Sequence, residues 1–180
     1  MNNDVLSVAY FRYADKHDVT SIVALVDSAY RGESSRLGWT TEADLLDGQR
    51  TDEMEVFSLM NTENSYILLY ESGDALLSSL NLARTADHGY LGMFAVRPQM
   101  QSMGIGKRML AEAERIVLKD WGLPVLQMTV ITLREDLIAW YERCGYYRTG
   151  KFKVFPYFDS RFGIPKRGDL CLEILKKELF

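Results

Sequence analysis

The sequence predicts a single-domain mixed α/β (α+β) fold: a central, mostly antiparallel sheet of six to seven strands flanked by about four helices. Three observations point there. The chain has 180 residues, 47% of them hydrophobic, which is one domain's length with ample material for a buried core. Runs of β-branched and aromatic residues alternate with apolar stripes at helical spacing. Three of those β-rich runs follow one another mid-chain with no helix between them, the pattern of antiparallel neighbours, and a helix-separated strand comes later. No repeat, linker or low-complexity tract divides the chain, so one domain is expected over 1–180 with its core in 6–178.

Residues 6–14 form a first strand, and Asp15 and Asp18 then suit a helix start. Val19, Ile22, Val23, Val26, Ala29 and Tyr30 recur on one helical face, ending at Gly32. Thr40-Thr41-Glu42 after Trp39 has the form of an N-cap segment, which predicts a short helix around Leu45 and Leu46. A further short helix is expected over 52–60. Strands at 65–71 and 75–84 make a hairpin about Ser72-Gly73-Asp74, and a third strand runs 90–96 until Pro98 stops it. Ile105, Met109, Ala113, Ile116 and Val117 line one face of an amphipathic helix closed by Gly122 and Pro124. A strand at 125–131, a helix at 134–143 closed by Gly145, and strands at 146–155 and 170–177 complete the order.

A net charge of -4 with scattered Lys and Arg excludes the basic footprint of a nucleic-acid binder. The N-terminus lacks a signal-peptide pattern, and no apolar run reaches bilayer-spanning length, so a soluble, cytoplasmic protein without membrane contact is expected. Cys144 and Cys171 lack metal or disulfide spacing and read as small buried hydrophobes in a reducing compartment. With His17 and His88 the only histidines, and neither HExxH nor GxSxG present, no metal site or esterase triad is expected.

The chemistry concentrates at Gln101-Ser102-Met103-Gly104-Ile105-Gly106-Lys107. A strand, a loop with two glycines and then a helix points unpaired N–H groups and the positive end of a helix dipole at one spot, which binds an anion. Glycines there let phosphate oxygens approach closely and permit positive φ. The triphosphate loop GxxxxGK[ST] would need Gly at 101 and Ser or Thr at 108, where Gln101 and Arg108 stand. The dinucleotide fingerprint GxGxxG fails at Met109 and lacks a βαβ setting.

The stretch matches [Gln/Arg]xxGx[Gly/Ala], and the chain thereby resembles the GCN5-related N-acetyltransferase (GNAT) superfamily. Met93-Phe94-Ala95-Val96-Arg97-Pro98 is similar to the family's strand entering this loop, and the block from Arg134 to Tyr146 is similar to its N-x-x-A-x-x-x-YEKxGF pattern. The element order follows the family across nearly the whole length. The resemblance implies a sheet splayed between the strands at 90–96 and 125–131, with acetyl-CoA as acyl donor and no metal. It implies a small-molecule or peptide primary amine as acceptor, acetylated by direct transfer in a ternary complex. The alternative is a silent module of the same fold that binds coenzyme A or a partner. Whether the chain forms a homodimer stays open.

By position, the backbone amides of 102–107 would hold the pyrophosphate, and the strand edge at Phe94, Ala95 and Val96 would pair with the pantetheine arm like an added strand. Tyr141 occupies the place of the general acid beside the cofactor sulfur. A phenol near pKa 10 is a weaker acid than a thiol near about 8.5, so a hydrogen bond to the departing thiolate is the role expected of it. Arg134 replaces the family's usual Asn. It cannot accept a hydrogen bond, which leaves a phosphate contact or a solvated helix start. Glu33, Asp44 and Asp87 are general-base candidates by residue type alone. The acceptor is expected between 30–39 and 155–166, where Trp39, Tyr157 and Phe158 could wall it.

Overall fold

The aromatic N-terminal run pairs as an edge strand, β1 (Tyr10–Tyr13), in a computed structural model that describes residues 8–180. Positions 6 and 7 of the expected strand and core lie outside the described residues. Arg12 on β1 binds Asp18 at 2.7 Å and Glu71 at 2.7 Å, which fixes the strand to its neighbour and to the start of the first helix. Asp18 therefore acts at that helix start through Arg12 and the Asp15 N–H rather than as a side-chain cap.

Helices α1 (Val19–Tyr30) and α2 (Gly32–Ser35) follow. Next come a short strand β2 (Leu46–Asp47) and helix α3 (Glu53–Asn61), the latter capped by the Asp52 carboxylate on the Glu55 N–H. The helix expected around Leu45 and Leu46 is not formed. Its single turn, from Glu42 to Leu46, stops because Leu46 pairs with Pro165 of β8 (Ile164–Pro165) and because the Glu42 side chain is drawn to arginines instead of a helix N-terminus.

Strands β3 (Ser65–Ser72), β4 (Ala75–Arg84) and β5 (Gly89–Val96) form the expected antiparallel succession. Helix α4 (Ile105–Arg115) continues through one wider turn to Asp120, and Gly122, at φ 68°, ends it. Strand β6 (Val125–Ile131), helix α5 (Glu135–Arg143), strand β7 (Tyr147–Val154) and strand β9 (Cys171–Glu178) complete the chain.

Among the described residues seven strands join in one mixed, mostly antiparallel sheet of order β1-β3-β4-β5-β6-β9-β7, and β2 pairs with β8 apart from it. β3 is buried from Ile67 to Tyr70 and β4 from Leu76 to Leu82, because helices cover both faces of the sheet there. α1 and α3 pack Ile22, Val26 and Val56 on Ile67, Leu69, Met93 and Ala95. α4 and α5 pack Ile105, Met109, Ile138 and Tyr141 on Leu82, Leu91, Leu126 and Met128.

Two features position the site. β5 and β6 pair in parallel only through Gly89–Leu126, Tyr90–Gln127 and Leu91–Met128, and beyond that the strands separate, as the resemblance implies. In the same stretch Met93 adopts φ 47°, and the β4–β5 register slips between Ser79 and Asn81. This bulge reverses the alternation: Leu91 faces the α4 side, Met93 and Ala95 face the α1 side, and Phe94 and Val96 turn back toward α4 and α5.

Candidate active site

The loop that ends at α4 is built to leave donors unused. Ser102 has φ 66° and Gly104 φ 82°, so successive N–H groups converge on one concave patch. The N–H groups of residues 102–107 make no backbone hydrogen bond among the described residues, and the first to do so is that of Arg108, to the Gly104 carbonyl. Gly106 has a second reason to lack a side chain: a Cβ there would lie 3.2 Å from Cζ2 of Trp140.

This loop opens into a cavity of about 610 Å3 that runs between α4 and α5 along the free edge of β5. Phe94, Val96, Gln101, Ser102, Gly104, Gly106, Lys107, Arg134 and Tyr141 line it together, although they come from three separate stretches of sequence. Met103 and Ile105 do not; Ile105 is core beneath α4. Ala95 is core on the opposite face, so only its backbone can share in the strand edge.

Several groups have partners within the protein. Gln101 accepts the Trp39 N–H at 2.8 Å and donates to Thr40 Oγ1 at 2.8 Å and to the Val96 carbonyl at 3.1 Å. The Tyr30 hydroxyl donates to the Phe94 carbonyl at 2.7 Å. Each of these carbonyls keeps a second lone pair for an incoming strand-like ligand. The Arg134 side chain is only 8% exposed. Its guanidinium donates to Glu42 at 2.8 Å and to the Thr40 carbonyl, and it lies over the Tyr30 ring.

Tyr141 sits at the floor of the cavity, 5% exposed, between Trp140 and Tyr146 at centroid distances of 5.0 and 5.8 Å. Its hydroxyl has no hydrogen-bond partner among the described residues. Burial pushes its pKa well above the ordinary tyrosine value, and nearby Tyr30 adds to this while Arg134 opposes it. The ring is therefore a neutral donor at any physiological pH.

Beyond Tyr141 a smaller cavity of about 150 Å3 continues toward Leu46 of β2 and Phe162. Glu42, 7% exposed, sits in its wall between Arg31 at 2.6 Å and Arg134 at 2.8 Å. Burial alone would raise this carboxyl's pKa, but Arg134, Arg31 and Arg50 outweigh burial and hold it below the usual carboxylate range. Glu33, Asp44 and Asp87 line neither cavity: Glu33 and Asp44 pair with Arg36 on the surface, and Asp87 pairs with His88.

The aromatic wall differs from the expected one. Trp39 lines the larger cavity, facing Trp140 at 6.0 Å. Tyr157 packs edge-on against Phe155 and its hydroxyl accepts the Leu170 N–H, which turns it away from the site, and Phe158 is fully exposed. Phe155, Phe162 and Tyr30 line the smaller cavity instead. Trp140 and the cluster of Arg31, Glu42 and Arg50 were not singled out from sequence. Trp140 carries a signal in its place beside Tyr141, whereas the cluster joins segments with no local pattern.

The chain aligns over residues 30–146 with the family model described as the acetyltransferase (GNAT) family. Against curated protein sequences it has no significant match. Among solved structures it resembles the ribosomal-protein-S18-alanine N-acetyltransferase of Escherichia coli, with TM-score 0.68 at 15% identity, covering 95% of this chain and 94% of that one. It also resembles spermidine N-acetyltransferase from Vibrio cholerae, with TM-score 0.68 at 12% identity over 96% and 94% of the two chains. The Salmonella typhimurium protein yncA, solved with its cofactor acetyl-CoA, gives TM-score 0.67 at 16% identity over 96% and 95%. At such identities these likenesses speak for the fold. The family match spans well over half of the chain and includes both the glycine loop and Tyr141, so the chain belongs to the GNAT acetyltransferase family.

Proposed function

We propose that the chain transfers the acetyl group of acetyl-CoA directly to an amine bound in the same cleft. One observation carries this reading: the unbonded N–H groups of residues 102–107 and the unpartnered hydroxyl of Tyr141 open into one cavity, beside the free edge of β5.

In this reading the loop amides hold the pyrophosphate, and the backbone of Phe94 and Val96 pairs with the pantetheine arm. Acetyl-CoA supplies a thioester whose sulfur must leave as thiolate. Tyr141 donates a hydrogen bond to that sulfur. Its raised pKa widens the gap to a thiol, so stabilising the thiolate while keeping the proton is the less costly course. Burial strengthens such a bond by removing competing water. Arg134 and Gln101 act as positioning residues, because their side-chain donors are spent on holding segment 38–42 and the Val96 carbonyl at the edge of the cleft.

A thermal shift with acetyl-CoA, run alongside an assay of thiol release over an amine panel, tests the reading. Saturation at 100 times Kd adds about 2.7 kcal/mol of stability. No shift at millimolar acetyl-CoA overturns it. A shift without transfer to any amine leaves only a coenzyme A-binding module.

A further inference from the structure

The smaller cavity has an electrostatic imbalance. Three guanidinium groups, Arg31, Arg50 and Arg134, face it, but Glu42 is its single carboxylate. Both Glu42 oxygens are already taken, one by Arg31 and one by Arg134. Arg50 is left over: its guanidinium forms no hydrogen bond or ion pair with any described residue, and its buried Nη1 has no partner. The group is nevertheless held in place, with its carbon 5.5 Å from the Tyr30 ring centroid and 5.9 Å from that of Phe162. Its backbone N–H is fixed by Asp27 at 2.7 Å. A side chain this ordered, with its donors unmet, presents a fork suited to a compact oxyanion.

We propose that the acceptor is a small amine that also carries a carboxylate, and that Arg50 binds that carboxylate while the amine points toward Tyr141. This deepens the reading of the chain as an amine acetyltransferase and rests on it. The excess of positive charge works in two ways. It attracts the carboxylate end, and it disfavours an ammonium near Arg50 and Arg134, which eases loss of the proton that blocks attack. By the same sign it rejects polyamines, whose several cations would meet the arginines without compensation. The cavity's small volume and the Phe155 and Phe162 rings suit an acceptor of amino-acid size with an aliphatic body.

The test compares each amino acid with its counterpart lacking the carboxylate: L-leucine against isoamylamine, and γ-aminobutyrate against n-propylamine, with spermidine as a third class. Transfer is measured as kcat/KM with acetyl-CoA, and binding by calorimetry on the protein alone, for wild type and Arg50→Gln. At least one carboxylated amine is expected to exceed its counterpart by about tenfold or more in both measurements, and Arg50→Gln is expected to collapse that ratio while acetyl-CoA affinity stays the same. Equal use of both members of each pair overturns the proposal, as does a preference for spermidine or full discrimination retained in Arg50→Gln. If nothing is acetylated but calorimetry still shows carboxylate-dependent binding lost in Arg50→Gln, the acetyltransferase reading fails and the Arg50 site stands.

Discussion

The backbone N–H of Trp39 donates to Oε1 of Gln101 at 2.8 Å, so a side chain of the glycine loop holds a segment 62 residues away. Gly38 permits this, since a Cβ there would lie 2.5 Å from that same Oε1. Gln101 thus braces the wall that carries Trp39 toward Trp140. Gln101→Ala deletes three hydrogen bonds at once and is expected to weaken acetyl-CoA binding about tenfold by calorimetry. Unchanged affinity would detach the brace from the cofactor site.

Gly104 and Gly106 predict contrasting effects. Gly104 is left-handed with open space around its missing side chain, so Gly104→Ala is expected to cost about 1–2 kcal/mol of conformational strain, read from the urea midpoint. Gly106→Ala meets the Trp140 ring instead. It is expected to lower acetyl-CoA affinity more than stability, and the reverse order would show that the glycines have other roles.

Tyr141→Phe keeps the ring packing on Trp140 and Tyr146 and removes only the hydroxyl. Turnover is expected to fall about 10²-fold with acetyl-CoA affinity unchanged. Wild-type kinetics would remove Tyr141 from the chemistry.

Glu42 links stability to pH. Its carboxyl ionises more readily in the folded protein than in the unfolded chain, where the value is about 4.3. The pair's stabilisation is therefore complete above that value and is lost as pH falls through the lower folded value. Glu42→Gln, which leaves Arg31 and Arg134 facing no charge, is expected to cost about 3–5 kcal/mol at neutral pH. The gap between variant and wild type narrows below about pH 4. A pH-independent gap would assign Glu42's contribution to packing.

Much of this is legible in the sequence because the signals are local. The 3.6-residue stripe of α4, the hairpin at Gly73 and the loop spelling each lie within a few residues, and the spacing from loop to Tyr141 follows from the element order. What is not legible arises between distant segments. Arg134 and Glu42 meet across 92 residues, and only that meeting shows that the Arg134 side chain is buried against Glu42 and that the residues around Leu46 are no helix. The reversal at Met93 is equally hidden, since a left-handed methionine has no spelling. It decides nonetheless that Phe94 and Val96 face the cleft and Ala95 does not.

The three-residue junction between β5 and β6 also divides the sheet mechanically. Strands β1, β3, β4 and β5 lie on one side and β6, β9 and β7 on the other, and few backbone bonds cross between them. A ligand that fills the wedge with strand-like hydrogen bonds replaces the missing rungs, so it serves as part of the sheet while it is bound. Amide exchange at the ends of β5 and β6 would then report occupancy directly, slowing on both sides of the seam when acetyl-CoA binds and quickening after it departs.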